Sequence, residues 1–381
     1  MMVLLTIQGL SAKSGGPTTC TRDLMDGLFP LDADIKLMAF RPKDFNDKML
    51  GEGKPWIIPV VNDSKPPLGI SNNFRNAFEN SNYDIYHCNG IWMYSNHITC
   101  KVARDKAKPY IISPHGMLYP SALRISAWKK KIMLNVWFNK DIHFASCLHV
   151  TCKQELEHCR TFGYKGPIAV IPNPVVFPDG VELKTKVNSH KSIGFLGRLH
   201  PIKKVENLLY GVAKAIENGC ESFTLDIMGK GSDDYEHFLH QEVERLKLQD
   251  VVNFVGFVNG KEKYDRLSQL RVLMVPSEQE NFGMIVPEAL ICGTPVYASL
   301  GTPWEELNSC HCGWWNDNSP ETIANVIQDI LSKSDEEILQ MGSNGRTLME
   351  EKYEQKKVAS MMLDLYKWIL GEIEKPEYIY V

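Results

Sequence analysis

No window of this 381-residue chain approaches the roughly 18 uninterrupted apolar residues that a membrane-spanning helix needs, so no transmembrane span is expected. The opening run, M-M-V-L-L-T-I-Q-G-L, lacks a basic leading segment and is expected to be a first β-strand rather than a secretory signal. The ten cysteines form no C-x-x-C pair and no zinc-finger spacing. That removes the usual disulfide frameworks and structural zinc, and predicts reduced, buried thiols in a cytosolic protein. Cys310-His311-Cys312 has no second ligand pair near it, so no metal is expected there. A complete G-x-G-x-x-G is also missing, which leaves the dinucleotide fingerprint unmet.

What the chain does have is ordinary globular composition, 44% hydrophobic and 23% charged, which excludes disordered, collagenous and coiled-coil classes. Its length exceeds one ordinary core and predicts two domains. The net charge of −4 conceals an imbalance. Residues 1–178 carry 21 Lys+Arg against 14 Asp+Glu, and the remainder 21 against 32. A basic first half suits an anionic partner, while the acidic second half argues against a nucleic-acid protein along its full length. Strand-like and helical patterns alternate through both halves, predicting doubly wound parallel sheets. Val3–Ile7, Tyr110–Ser113, Cys147–Val150 and Val272–Val275 read as strands, Lys153–Phe162 as a helix capped by Thr151. Pro172-Asn173-Pro174 through Ser189 has no apolar period and reads as a linker.

Several local patterns point to a ligand edge. Gly15 and Gly16, in S-G-G-P between the first strand and first helix, allow close approach of backbone to a phosphate. His115, in P-H-G-M, follows a strand directly, where open α/β folds bind ligands. The stretch 124–140 interleaves Trp128, Ile132, Trp137 and Phe138 with Arg124, Lys129, Lys130, Lys131 and Lys140. It reads either as an amphipathic helix with a solvated face or as a segment for anionic membrane surface. Arg198 and Lys203 follow the strand Ser192–Leu196, and such cations neutralise a diphosphate. Then comes R-V-L-M-V-P-S-E-Q-E-N-F-G-M-I-V-P-E-A-L, a strand, a polar loop and a helix opened by Pro287. Glu280 and Glu288 flank the amides of Asn281, Phe282, Gly283 and Met284. Carboxylates accept from sugar hydroxyls and amides donate to them; the plainer reading is a solvated Glu280 and a dipole-complementing Glu288.

On G-F-L-G-R-L-H-P-I-K-K-V-E-N-L-L (194–209) and P-S-E-Q-E-N-F-G-M-I-V-P-E-A-L (276–290), the sequence resembles the retaining glycosyltransferases of family 4 along nearly its whole length. The resemblance implies the GT-B fold, two Rossmann-like doubly wound domains facing a central cleft. It places an acceptor-side domain over 1–175, completed by 365–381, a linker over 176–190, and a nucleotide-sugar domain over 191–364. By the same resemblance, Arg198 and Lys203 bind the donor diphosphate, and Glu280 with the amides of Asn281, Phe282 and Gly283 holds the sugar hydroxyls. Glu288 holds the ribose, Gly15 and Gly16 lie near the phosphates, and His115 lies beside the transferred sugar. I-M-G-K-G, with Gly229 and Gly231, and F-V-G-F-V, with Phe257, look like the nucleoside-side strands. S-P-H-G-M-L with the basic stretch looks like enzymes building bacterial surface polysaccharides and lipid-linked glycans. One departure is G-T-P-W-E-E-L (301–307), where relatives carry a shorter glycine turn.

The implied activity moves a hexose-type sugar from a UDP- or GDP-sugar to a glycan or polyprenyl-linked acceptor, with retention and without metal or other cofactor. The implied location is cytoplasmic, with room for peripheral contact with anionic membrane through 124–140. The alternatives on this architecture are a nucleotide-sugar epimerase or hydrolase, or a non-catalytic nucleotide-sugar-binding protein. A phosphorylase would need a pyridoxal-phosphate lysine, for which the sequence offers no candidate.

Overall fold

The computed structural model describes residues 1–11, 15–31, 33–44, 46–188 and 190–381. They divide into two compact units, Met1–Val176 with Tyr353–Val381, and Phe177–Lys352.

In the first unit the strands are β1 (Met2–Gly9), β2 (Asp34–Phe40), β3 (Ile57–Val60), β4 (Ile85–Asn89), β5 (Tyr110–Ser113), β6 (Cys147–Val150) and β7 (Ile168–Val170). They lie in the parallel order β7-β6-β5-β4-β1-β2-β3. Starting at β1, the chain builds outward in one direction and then crosses back to build in the other. Helices cover both faces, which is why β4, β5 and β6 are apolar-rich and buried at every position. The helix Gly16–Leu28 follows β1, and Lys153–Phe162 follows β6. Thr151 does not cap the latter: the cap is Cys152, whose Sγ accepts from Glu155 N at 3.4 Å, while Thr151 donates its hydroxyl to the Glu155 carboxylate at 3.1 Å.

The basic stretch is also not one helix. It breaks into short helices Pro120–Arg124, Ala127–Met133 and Asn139–His143, with a π-turn over Leu134–Phe138. The cause is an inward pull on its second half. Phe138 is buried, and Trp137 stacks on His97 with ring centroids 4.9 Å apart. The buried Asp141 takes Arg104 at 2.6 Å and His97 at 2.7 Å. Trp128, Ile132 and Val136, by contrast, are exposed by 66%, 54% and 63%.

In the second unit β8 (Lys191–Leu196), β9 (Phe223–Met228), β10 (Val252–Gly256), β11 (Val272–Val275), β12 (Val296–Ser299) and β13 (Gly313–Asn316) lie in the parallel order β10-β9-β8-β11-β12-β13. The same reversal falls between β8 and β11, the crevice where such sheets bind ligands. The helix after β11 spans Ile285–Ile291, so Pro287 sits within its first turn instead of opening it; no amide is needed there, and the ring is tolerated.

The chain returns to the first unit at Tyr353, ahead of the expected 365, because the helix Gln355–Ile369 is continuous and packs on Gly16–Leu28. A closing strand, β14 (Ile379–Tyr380), adds antiparallel to β7. Tyr366 anchors this return through four linked hydrogen bonds. Its hydroxyl meets His87 Nδ1 at 2.8 Å, His87 Nε2 meets Ser113 Oγ at 2.7 Å, Ser113 Oγ meets His149 Nδ1 at 2.7 Å, and His149 Nε2 meets Ile171 O at 2.9 Å. The carbonyl at the end only accepts, and with both imidazoles kept neutral by burial each proton in the chain points toward Ile171. Burial lowers the pKa of His149 to about 4 and that of His87 well below its ordinary value.

Candidate active site

The second unit gathers its candidate residues beyond the carboxyl ends of β8 and β11. The loop after β8 is pinned to the loop after β9: Gly197 N–H donates to Met228 O at 3.0 Å and Leu199 N–H to Lys230 O at 2.9 Å. Gly229 and Gly231 make that approach possible. A Cβ on Gly229, at φ 151°, would lie 1.8 Å from Gly197 O, and one on Gly231 would lie 2.1 Å from Leu199 O. Backbone packing therefore accounts for both glycines. Arg198, between the pinned residues, is exposed.

A 3-10 turn over Pro201–Lys203 follows. Its last residue, Lys203, forms an ion pair with Glu280 Oε1, the two side chains only 21% and 13% exposed. Ser277 Oγ donates to the same carboxylate oxygen at 2.8 Å. Backbone bonds fix both partners: Glu278 N–H reaches Ile202 O at 2.8 Å, and Glu280 N–H reaches Gly301 O at 2.9 Å. Gly301 has no room for a side chain, since a Cβ would meet Glu278 O at 2.1 Å.

The rest of the acidic loop is held from below. Phe282 is buried edge-on against Trp304, centroids 5.0 Å apart, and Trp304 Nε1–H donates to Phe282 O at 2.5 Å. The Phe282 side chain thus serves packing. Gly283 turns with φ 75°, a conformation that favours glycine. Glu288, in the first turn of its helix, pairs with Lys263 at 2.7 Å. Asn281 is half-buried, and Phe257 stands 65% exposed just past β10. Sequence reasoning missed Ser277 as a partner of Glu280, along with Trp304 and Lys263. Ser277 lies inside the quoted motif and was open to recognition; the other two are brought in only by the fold.

In the first unit, Gly15 is the N-cap of the helix Gly16–Leu28, and a Cβ on Gly15 or Gly16 would touch nothing. Neither packing nor a positive φ asks for glycine at these two positions. The neighbouring residues 12–14 of the expected phosphate loop lie outside the described residues. His115 sits in a left-handed turn at φ 51°, followed by Gly116 at φ 75°. Glu155 secures the turn, accepting Gly116 N–H at 2.6 Å. His115 Nε2 meets Asn89 Oδ1 at 3.0 Å, and burial lowers the imidazole pKa to about 3, so the ring is neutral at pH 7 and presents Nδ1 as an acceptor.

Among the described residues no group of three or more His, Cys, Asp or Glu side chains is arranged to hold a metal ion. The chain's one D-x-D triplet is Asp32-Ala33-Asp34, of which Asp34 opens β2 at the amino edge of its sheet. Asp34 there pairs with Lys36 at 3.5 Å, and Asp32 is outside the described residues. No helix among the described residues is long and apolar enough to cross a membrane.

Two doubly wound parallel sheets in two units, the second with a cation–carboxylate pair at its switch point, define an α/β protein of the GT-B type. Family comparison agrees. Residues 15–174 match the glycosyl transferase 4-like domain, and residues 183–348 match glycosyl transferases group 1. The chain belongs to these GT-B glycosyltransferases.

An uncharacterised glycosyltransferase of Methanocaldococcus jannaschii is 26% identical over 331 residues, 82% of this chain and 80% of that protein. A D-inositol 3-phosphate glycosyltransferase of Catenulispora acidiphila is 30% identical, over 57% of this chain and 55% of its own length. An O-antigen biosynthesis glycosyltransferase of Escherichia coli is 25% identical over 43% of this chain and 44% of its own. Among solved structures, HepE from Anabaena, in complex with UDP, has a TM-score of 0.75 at 19% identity, covering 97% of this chain and 100% of that one. Sucrose-phosphate synthase from Thermosynechococcus elongatus has a TM-score of 0.74 at 20% identity, covering 97% and 99%. At those identities the likeness is one of fold.

Proposed function

We propose that the protein transfers a hexose-type sugar, with retention of anomeric configuration, from a UDP- or GDP-sugar to a glycan or lipid-linked saccharide. The observation that carries this is the Lys203–Glu280 pair, fixed with Ser277 at the switch point of the second sheet. The UDP complex of HepE and the O-antigen enzyme among the relatives support it. Arg198 and Lys203 are assigned to the diphosphate, and Glu280 with the backbone of Asn281, Phe282 and Gly283 to the sugar hydroxyls. Glu288 is assigned to the ribose, and Gly229, Gly231 and Phe257 to the nucleoside side. Gly15, Gly16 and His115 are the first unit's proposed contributions. Neutral His115 suits contact with sugar hydroxyls, where an imidazolium would compete for the phosphates.

The chemistry follows from those roles. The bond between the anomeric carbon and the diphosphate oxygen breaks, and the acceptor hydroxyl attacks from the face the diphosphate leaves. Its proton passes to the departing phosphate oxygen. Lys203 and Arg198 stabilise the charge that develops on the diphosphate, the role a divalent cation plays elsewhere, and the reaction is proposed to need no metal.

The exposed apolar residues Ile125, Trp128, Ile132, Val136 and Phe144, interleaved with Arg124, Lys129, Lys131 and Lys140, support peripheral docking on an anionic bilayer. From Lys106 to Cys152 the one acid is Asp141, which is buried against Arg104. A screen of UDP-, GDP- and ADP-sugars for hydrolysis and thermal stabilisation tests the transferase reading. A true donor at 100 times its dissociation constant adds about 2.7 kcal/mol of stability. Absence of both stabilisation and turnover with every donor would refute it.

A further inference from the structure

The loop after β12, G-T-P-W-E-E-L (301–307), has no part in the roles assigned above, yet it holds the acidic loop at two points. Gly301 O accepts Glu280 N–H at 2.9 Å, and Trp304 Nε1–H donates to Phe282 O at 2.5 Å. Trp304 is 1% exposed and packs edge-on against the Phe282 ring, so this second bond is shielded from water and is electrostatically stronger for it.

The loop that carries the indole is itself braced. Thr302 Oγ1 donates to Ser299 O at 2.8 Å, and Trp315 Nε1–H donates to Thr302 O at 2.9 Å. Trp315 lies in β13, at the edge of the sheet, and the Asn308 amide clasps its backbone. Trp315 N–H reaches Asn308 Oδ1 at 2.9 Å, and Asn308 Nδ2 donates to Trp315 O at 3.1 Å. The support ends at one peptide group, whose oxygen is Phe282 O and whose N–H is that of Gly283. Gly283 N–H meets no acceptor among the described residues. The two ends of a peptide polarise together, so a donor on the oxygen strengthens the N–H as a donor and fixes the plane in which it points.

We propose that Trp304 is a positioning residue for the donor sugar: its indole N–H, bonded to Phe282 O, aims and strengthens Gly283 N–H toward a sugar oxygen. The proposal rests on the transferase reading above, which assigns this amide to the sugar, and adds a residue that touches neither sugar nor nucleotide. It separates two affinities. Loss of the indole N–H weakens binding of a sugar nucleotide and spares the bare nucleotide, whose phosphates and ribose fall to other residues.

Calorimetric titration of the full-length protein reads this difference, with UDP-glucose and UDP-N-acetylglucosamine against UDP, and GDP-mannose against GDP. Trp304→Phe keeps an aromatic ring beside Phe282 and removes the N–H. The sugar nucleotide that the wild type binds should bind this variant about tenfold more weakly, the scale of one hydrogen bond, while its bare nucleotide stays within about twofold. Should Trp304→Phe melt early, benzothienylalanine at position 304 keeps the size of the indole with sulfur in place of the N–H, and the same outcome is expected. Equal loss for both ligands would make Trp304 a packing residue alone, and unchanged binding of both would remove it from the site; either result overturns the proposal. So does a wild type that holds UDP or GDP but no sugar nucleotide. A wild type that binds none of the five ligands would sink the transferase reading itself.

Discussion

Lys203 and Glu280, 77 positions apart in the chain, are joined by an ion pair that Ser277 buttresses from the carboxylate side. In this arrangement the lysine's charge is already answered before any diphosphate arrives. Removing either partner should cost about 2–4 kcal/mol of transition-state stabilisation, read from kcat/KM of Lys203→Ala and Glu280→Ala. The two variants should differ in binding UDP or GDP. Lys203→Ala loses affinity, whereas Glu280→Ala keeps it or gains, because the ammonium is released to the phosphates. Wild-type turnover in both would mean that the pair is only structural.

Chelation separates the proposed charge stabilisation from a metal-assisted one. With the diphosphate held by Arg198 and Lys203, turnover should survive excess EDTA with its rate unchanged. Loss of activity that added Mg²⁺ or Mn²⁺ restores would reassign the charge stabilisation to a cation.

Gly229→Ala probes the seam between the loops after β8 and β9. The Cβ would fall 1.8 Å from Gly197 O, and backbone cannot yield as a side-chain tip does. A loss of about 2–4 kcal/mol in chemical denaturation is expected. Gly15→Ala, whose Cβ meets nothing, should leave stability nearly unchanged.

Acid should loosen the first unit through His87 and His149. Both carry pKa values depressed by burial, so the unfolded chain binds the extra protons. Stability is complete above about pH 6.5 and falls as pH drops toward the folded value, about 4 for His149. The slope is about 1.4 kcal/mol per pH unit per histidine. Denaturation curves from pH 7 to pH 5 should show it, and His149→Gln should flatten it. A slope equal in the variant would remove His149 from the account.

The exposed face over 125–144 should bring the protein down with vesicles rich in phosphatidylglycerol and not with phosphatidylcholine alone. Replacing Trp128 and Ile132 by Ser should reduce sedimentation at least tenfold, while raised salt should weaken the wild type. Equal sedimentation of wild type and variant would dismiss a membrane role for this face.

The sequence was most informative where apolar runs end in proline or glycine. Tyr110–Ser113 stops at Pro114 and Val272–Val275 at Pro276, and both strands fall where the pattern predicts them. Lys203 and Glu280 were each singled out because each sits in a motif tied to a strand end, but their ion pair with one another was not read from the sequence. What escaped depended on contacts remote in sequence. The basic stretch broke because His97 and Arg104, on another helix, draw Trp137 and Asp141 inward. Lys263 meets Glu288 only through folding, and Trp304 reaches Phe282 O with no spacing to announce it. Thr151 has the better capping chemistry, yet the cap fell to Cys152 because Glu155 had claimed the hydroxyl.

The strand order of the first unit is finished by a segment that returns to it from beyond the whole second unit, with Tyr366 seated on His87. Anyone building hybrids of this enzyme with a relative must therefore exchange two stretches, 1–176 and 353–381, as a matched set. A single crossover in the linker would graft a foreign closing helix onto a slot whose buried histidines expect a tyrosine hydroxyl.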